Sequence, residues 1–270
     1  MHVAEKCEAD LAGPHASKAT DQSGPRETQF ARHALAFAVE TLSNTGPGVI
    51  LEAEAATRRS PNHEHNEDAY LVSLEGGLFV VADGMGGHRD GHVASNAVVS
   101  VLGQTLRTEL SFEQRIETAT RAIEGVSATL DAQSRASPGL DISGSTAVAL
   151  IVGDAYACCL WVGDSRLYLF RDDQLYLVSE DHADEYGVLT RAVGSTAAVE
   201  VDRRILEICD GDIFLLCSDG LLKGMEEGAL AELLASTGEA PADRLLAKSI
   251  AGGSNDDITV IVVWVAVDDG

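Results

Sequence analysis

Five short apolar runs in this 270-residue chain each meet an aspartate at one end. Residues 78–82 run into Asp83, which is followed by Gly84, Met85, Gly86, Gly87 and His88. Residues 158–162 run into Gly163, Asp164, Ser165 and Arg166, and residues 213–217 into Ser218, Asp219 and Gly220. Asn66, Glu67 and Asp68 precede the run 69–72, and Asn255, Asp256 and Asp257 precede 258–262. Runs of this length, bounded by turn residues, read as strands. A strand that ends in a carboxylate holds it rigidly at the rim of a core. Several carboxylates at one rim raise one another's pKa and repel unless cations neutralise them. An all-oxygen donor set without His or Cys suits hard ions such as Mg²⁺ or Mn²⁺.

The rest of the chain supplies more strands and a few helices. Residues 49–57 show partial alternation and read as a strand. Residues 91–106 carry Val93, Ala97, Val98, Val101 and Leu102 at helical spacing. Ser111 with Gln114 three residues on predicts an N-cap for a second helix to about residue 133. Strands 146–152 and 156–162 flank Gly153 and Asp154, a hairpin signal. Strands 167–170 and 175–178 predict a second hairpin, and 198–209 with 213–217 a third. Residues 226–235 and 242–251 read as short helices, and 258–267 as the last strand. Many strands with helices inserted early and late make an α+β pattern rather than alternating βαβ. Its natural solution is two antiparallel sheets packed face to face under helices.

The first 46 residues read differently. Residues 1–29 lack an apolar period and read as a disordered tail. Residues 30–42 place Phe30, Ala34, Phe37, Ala38 and Leu42 roughly on one helical face, before a breaker at 44–48. The expected organisation is thus an extension over 1–46 and one domain over 47–270.

Composition narrows the function classes. With only 5% aromatics in a 45% hydrophobic chain, the core is mostly aliphatic and alanine. A formal charge of −24 without a Lys/Arg run argues against binding to nucleic acid or an anionic membrane. The five cysteines have no paired-spacing motif. Cys158 and Cys159 are adjacent in a strand and point to opposite faces, while Cys209 and Cys217 read as small core residues. That usage, with no signal-peptide pattern and no run long enough to span a membrane, predicts a cytoplasmic protein.

Eight blocks now stand in order: Asn66 to Asp68, Asp83 to His88, Gly144 to Ala147, Val162 to Arg166, Asp181 with His182, Leu189 to Gly194, Ser218 to Gly220, and Asp256 to Thr259. On these blocks the chain resembles the metal-dependent protein serine/threonine phosphatases of the PPM (PP2C) family, in their bacterial form. The resemblance implies a four-layer α+β sandwich of two antiparallel sheets flanked by helices. It implies that Asp83 bridges two ions, that Gly84 offers one of them its carbonyl, and that Asp219 and Asp256 complete one ion. Asp68 would act through water, and Asp164 with Asp219 would hold a third, weaker ion. Any one of these aspartates also has the spelling of a turn or strand-end residue. The implied reaction is hydrolysis of phosphoserine or phosphothreonine by a water bridging Mg²⁺ or Mn²⁺ ions, with no covalent intermediate. The expected partners are phosphorylated proteins made by a Ser/Thr kinase, met by a monomer.

Four departures qualify the resemblance. The family's phosphate-gripping Arg is replaced by His63, leaving His63, Arg58 and Arg59 as candidate phosphate ligands. Only residues 183–188 remain of a longer flap. Asp257 stands where an Asn is usual and adds a charge beside the ions. Met85 stands where many eukaryotic relatives have a His. These changes motivate a second reading, a pseudophosphatase binding module with a weakened phosphate grip. His88 and His92, spaced i, i+4, lack a third N or S ligand and read as polar residues of a helix start rather than a zinc pair. Trp161 and Trp264 read as core or sheet-face residues.

Overall fold

The computed structural model describes residues 35–42, 48–86, 91–105, 109–136, 144–236 and 240–268. The expected tail over 1–29 lies outside the described residues, as does His88. The strands begin with β1 (Leu35–Leu42), β2 (Gly48–Arg58), β3 (Asp68–Ser73) and β4 (Leu78–Met85). Two helices follow, α1 (Gly91–Thr105) and α2 (Phe112–Ala136). Then come β5 (Gly144–Ser145), β6 (Ala147–Val152), β7 (Tyr156–Val162), β8 (Arg166–Arg171), β9 (Gln174–Leu177), β10 (Asp202–Glu207) and β11 (Ile213–Cys217). The chain closes with α3 (Glu227–Ala235), α4 (Pro241–Ala251) and β12 (Ile258–Asp268). One antiparallel sheet has the order β1-β2-β12-β11-β8-β9, and the other β10-β7-β6-β4-β3 with β5 paired to β4.

Strand periodicity makes this a four-layer molecule. In β4, Phe79 and Val81 face the other sheet, while Leu78, Val80 and Ala82 face α1 and α2. In β11, Phe214 and Leu216 face inward, while Leu215 and Cys217 pack under α3 and α4. Both faces of these strands are buried, which is why they are spelled as continuous apolar runs rather than as an alternation. Three aliphatic layers result, one between the sheets and one beneath each helix pair. The two-sheet α+β sandwich expected from the pattern is what the structure shows.

The local signals explain most boundaries. Ser111 and Gln114 form a reciprocal capping box: the Gln114 amide donates to Ser111 Oγ at 3.2 Å, and the Ser111 amide to Gln114 Oε1 at 3.0 Å. The β8–β9 turn holds Asp172 and Asp173 at φ 51° and 59°, the left-handed pair a two-residue hairpin turn needs. Cys158 and Cys159 point into different layers, and Trp161 is buried between the sheets.

Three expectations are corrected. Residues 35–42 form β1, an edge strand antiparallel to β2, rather than part of a helix. Pairing to an exposed sheet edge outweighs a weak helical period. Residues 198–209 and 213–217 do not form a hairpin, because β10 pairs with β7 in one sheet while β11 pairs with β8 and β12 in the other. The turn between them crosses the sandwich, anchored by buried Asp212, which accepts from the Cys209 amide at 2.9 Å and from Arg171 Nη2 at 2.6 Å. Cys209 lies on this crossing and is exposed, so it is not a core residue. Among the described residues no helix is long and apolar enough to cross a membrane.

Candidate active site

The aspartates converge from both sheets on one cleft of about 290 Å³. Asp68 opens β3 directly opposite Asp83 near the end of β4. Asp219 begins a 3-10 turn just past β11, and Asp256 lies two residues before β12. Asp164 follows Gly163, whose amide donates to His182 Nδ1 at 3.0 Å. Asp83, Asp164, Asp219 and Asp256 line the cleft, while Asp68 is buried beside them.

Hydroxyl side chains at the strand ends join the two sheets here. Ser218 Oγ accepts from the Thr259 amide at 3.0 Å and donates to Asp68 Oδ2 at 2.8 Å. The Asp83 amide donates to Thr146 Oγ1 at 2.9 Å, and Thr146 Oγ1 lies 2.6 Å from Ser165 Oγ. Ser218, Thr146 and Ser165 fall inside the sequence blocks, but their spelling alone does not reveal that they position the aspartates.

Two glycines let backbone segments meet. A β-carbon on Gly84 would lie 2.1 Å from the Gly91 carbonyl oxygen and 2.7 Å from that of Glu67. One on Gly220 would lie 1.9 Å from the Asp257 carbonyl oxygen. Only glycine permits either approach.

The electrostatics are those of a cation site. Burial, then Asp68, Asp219, Asp256 and Asp164, push the Asp83 carboxyl well above the ordinary range. Burial brings Asp68 up to about 7, against hydrogen bonds from Thr259 and Ser218. Burial and then Asp219 raise Asp164 to about 6. Asp68 Oδ1 and Asp219 Oδ1 are buried without a hydrogen-bond partner. Unpartnered buried carboxylate oxygens are costly unless an ion takes them. These orphan atoms and the all-oxygen donors fit divalent hard cations.

The neighbouring loop answers two of the departures together. His63 Nδ1 pairs with Asp257 Oδ2 at 2.9 Å. The same oxygen accepts from the Glu67 amide at 2.7 Å, and Asp257 Oδ1 accepts from the Ser60 amide at 2.5 Å. Both oxygens of Asp257 are therefore engaged in holding the loop, and side-chain ligand atoms of His63, Glu67 and Asp257 lie within 4.8 Å of one another. The hydrogen bond to Asp257 raises the His63 pKa, against burial. His63 lines the cleft, whereas Arg58 and Arg59 do not. Arg59 Nη1 instead donates to the carbonyls of His63 and Glu64.

The shortened flap is a tight loop. Asp184 Oδ1 accepts from the amides of Tyr186 and Val188, both at 2.9 Å, and Ala183 bridges to Leu189. Leu189 reaches the cleft while Tyr186 and Val188 are exposed. His92 packs its ring on His65 with centroids 4.8 Å apart. The residue that sequence reasoning missed is Lys223, whose Nζ lies 2.6 Å from Asp219 Oδ2 and also bonds Asp256 Oδ2. Its signal was a lysine four residues after a candidate ligand, just past the turn.

A family model described as protein phosphatase 2C matches residues 57–251. The serine/threonine phosphatase stp of Listeria innocua is 32% identical over 246 residues, covering 79% of this chain and 95% of that protein. PppA, a key regulatory component of the T6SS in Pseudomonas aeruginosa, has a similar structure, with TM-score 0.75 and 32% identity over 80% of this chain and 97% of that one. The catalytic domain of the serine/threonine protein phosphatase PstP, solved with 2 manganese ions, matches with TM-score 0.74 and 29% identity over 81% and 99%. The chain belongs to the protein phosphatase 2C family, the metal-dependent protein serine/threonine phosphatases, in its bacterial form.

Proposed function

We propose that this chain removes phosphate from phosphoserine and phosphothreonine in proteins by in-line attack of water, as a cytoplasmic monomer reversing the work of a Ser/Thr kinase. One observation carries the reading: aspartates from both sheets meet at one cleft with two buried carboxylate oxygens lacking a partner. Asp83, the Gly84 carbonyl, Asp219 and Asp256 would hold two ions, Asp68 would act through water, and Asp164 with Asp219 would hold a third. Mg²⁺ or Mn²⁺ bound there supplies activation of the attacking water and neutralises charge at the phosphoryl group.

The chain's own residues do the rest. Ser218 and Thr146 fix the aspartate rotamers and backbone before any ion arrives, so little reorganisation remains for the reaction. His63, held by Asp257 at the cleft edge, presents its imidazolium to the substrate phosphate. Leu189 lines the same cleft and meets the peptide around the phosphoresidue.

The test is phosphate release from a phosphothreonine peptide with Mn²⁺, with excess chelator, and with Asp83→Asn. Release that needs metal and drops by roughly a hundred- to a thousandfold in the variant is expected, since removal of one preorganised electrostatic group costs that order. Retained turnover in a folded Asp83→Asn protein would overturn the mechanism. No release from several phosphopeptides, with metal supplied, would favour the pseudophosphatase binding module.

A further inference from the structure

Lys223 stands just past the 3-10 turn Asp219–Leu221 and folds back over it. Its ammonium contacts one oxygen of Asp219 and one of Asp256, so a single cation ties the end of β11 to the start of β12. Among the described residues lining the cleft, only Lys223 and His63 can carry positive charge, and His63 is engaged by Asp257. The Asp219–Asp256 pair is thus partly neutralised from within the chain by Lys223. A compact ammonium on a four-carbon stem suits this role: it is a point charge that can swing away, unlike a guanidinium fork. The Lys223 side chain is 48% exposed, so its path to solvent is open.

We propose that Lys223 is a tethered counter-ion that competes with the divalent ion for Asp219 and Asp256, so that metal loading requires the ammonium to leave these oxygens. This rests on the proposed ligand roles of Asp219 and Asp256. A unit positive charge in contact with the ligand oxygens repels an incoming dication and occupies its donors. The same contact shields two carboxylates from each other while no ion is bound. Lys223 therefore lowers metal affinity and supports the metal-free fold.

The experiment is a calorimetric Mn²⁺ titration of the metal-stripped full chain, paired with thermal unfolding before metal is added. Lys223→Met and Lys223→Gln should both bind Mn²⁺ roughly tenfold or more tightly than the wild type, because an adjacent like charge is removed. Both should melt at a lower temperature without metal. Lys248→Met, which removes an exposed lysine of α4, should leave Mn²⁺ affinity unchanged. Equal or weaker Mn²⁺ binding in both Lys223 variants would overturn the proposal. Asp256→Asn separates the two levels: if it binds Mn²⁺ as the wild type does, the ligand assignment itself fails and this inference with it. If Asp256→Asn loses binding while the Lys223 variants match the wild type, only the counter-ion role fails.

Discussion

The aspartate rim and the loop of residues 59–67 border the same cleft, yet they are held by different means. Each rim aspartate lies at or next to a strand end, and its position follows from sheet pairing that buries three aliphatic layers. The loop has little regular structure of its own, and its shape depends on Asp257, on Ser60 Oγ donating to the Asn255 carbonyl at 2.6 Å, and on Arg59 donating to loop carbonyls. The rim is therefore as rigid as the sandwich, while the loop is only as rigid as a few side-chain hydrogen bonds. Electrostatics follow the same division. At the rim, the pKa values of Asp68 and Asp83 rise chiefly through burial. The loop histidine is partly exposed, and its pKa rises chiefly through one partner.

The sharpest way to break the rim is Gly220→Ala. The added methyl would overlap the Asp257 carbonyl and force β11 and β12 apart where Asp219 and Asp256 meet. A loss of roughly 3 kcal/mol or more is expected from a clash with backbone, read as a lowered urea midpoint together with lost Mn²⁺ binding. Native stability and binding would show the rim to be softer than described.

A smaller effect is expected from breaking the loop. Asp257→Ala strands the Ser60 and Glu67 amides and His63 without their acceptor, at a cost of about 2–3 kcal/mol. Asp257→Asn keeps one carbonyl acceptor and should lose less. Urea melts of the two variants give the order; equal losses would mean that the one acceptor Asn keeps contributes nothing without the other oxygen.

His63→Ala tests the loop's share of binding through pH. The folded His63 has a pKa raised above its ordinary 6.5, so its charge and its pairing with Asp257 are fully present below 6.5 and lost as pH rises through the raised value. The variant should raise KM by roughly 3–10-fold near pH 6, the worth of one exposed charge contact, with the gap closing near pH 9. A KM ratio that is flat across this range would remove His63 from the phosphate site.

The smallest expected change concerns the edge of the β1 sheet. Removing residues 1–34 should leave kcat/KM within about twofold, whereas removing 1–46 also strips β1 and should cost on the order of 1 kcal/mol of stability. Equal stability of the two truncations would show that β1 contributes nothing to the domain.

The rim was largely legible before any coordinates. Apolar runs of strand length, each joined to an aspartate, point to strands buried on both faces with carboxylates at one rim, and the eight ordered blocks named the family. The errors fell where pairing partners are distant. A weak helical period in residues 30–42 did not reveal that β2 offers a free edge. The turn around Gly211 looked like a hairpin because a turn's spelling does not say which sheet receives the next strand. Cys209 was misplaced for the same reason.

The loop was legible only as a list of departures. His63 and Asp257 stood out separately as an unusual histidine and an unusual carboxylate, 194 residues apart in sequence. Only folding shows that they are one ion pair, and that Asp257 spends both oxygens on the loop. Arg58 and Arg59 had the right chemistry for phosphate, but neither lines the cleft. Local sequence therefore determined which residues are strands, where their carboxylates stand and what class of ion they suit, because strand periodicity and chain connectivity act over a few residues. Tertiary structure alone decided that Lys223 pairs with Asp219 and Asp256, that Ser218 ties Asp68 to the opposite sheet, and that His63 and Lys223 line the cleft. Those outcomes depend on hydrogen bonds and charges between segments whose approach is set by the packing of the two sheets.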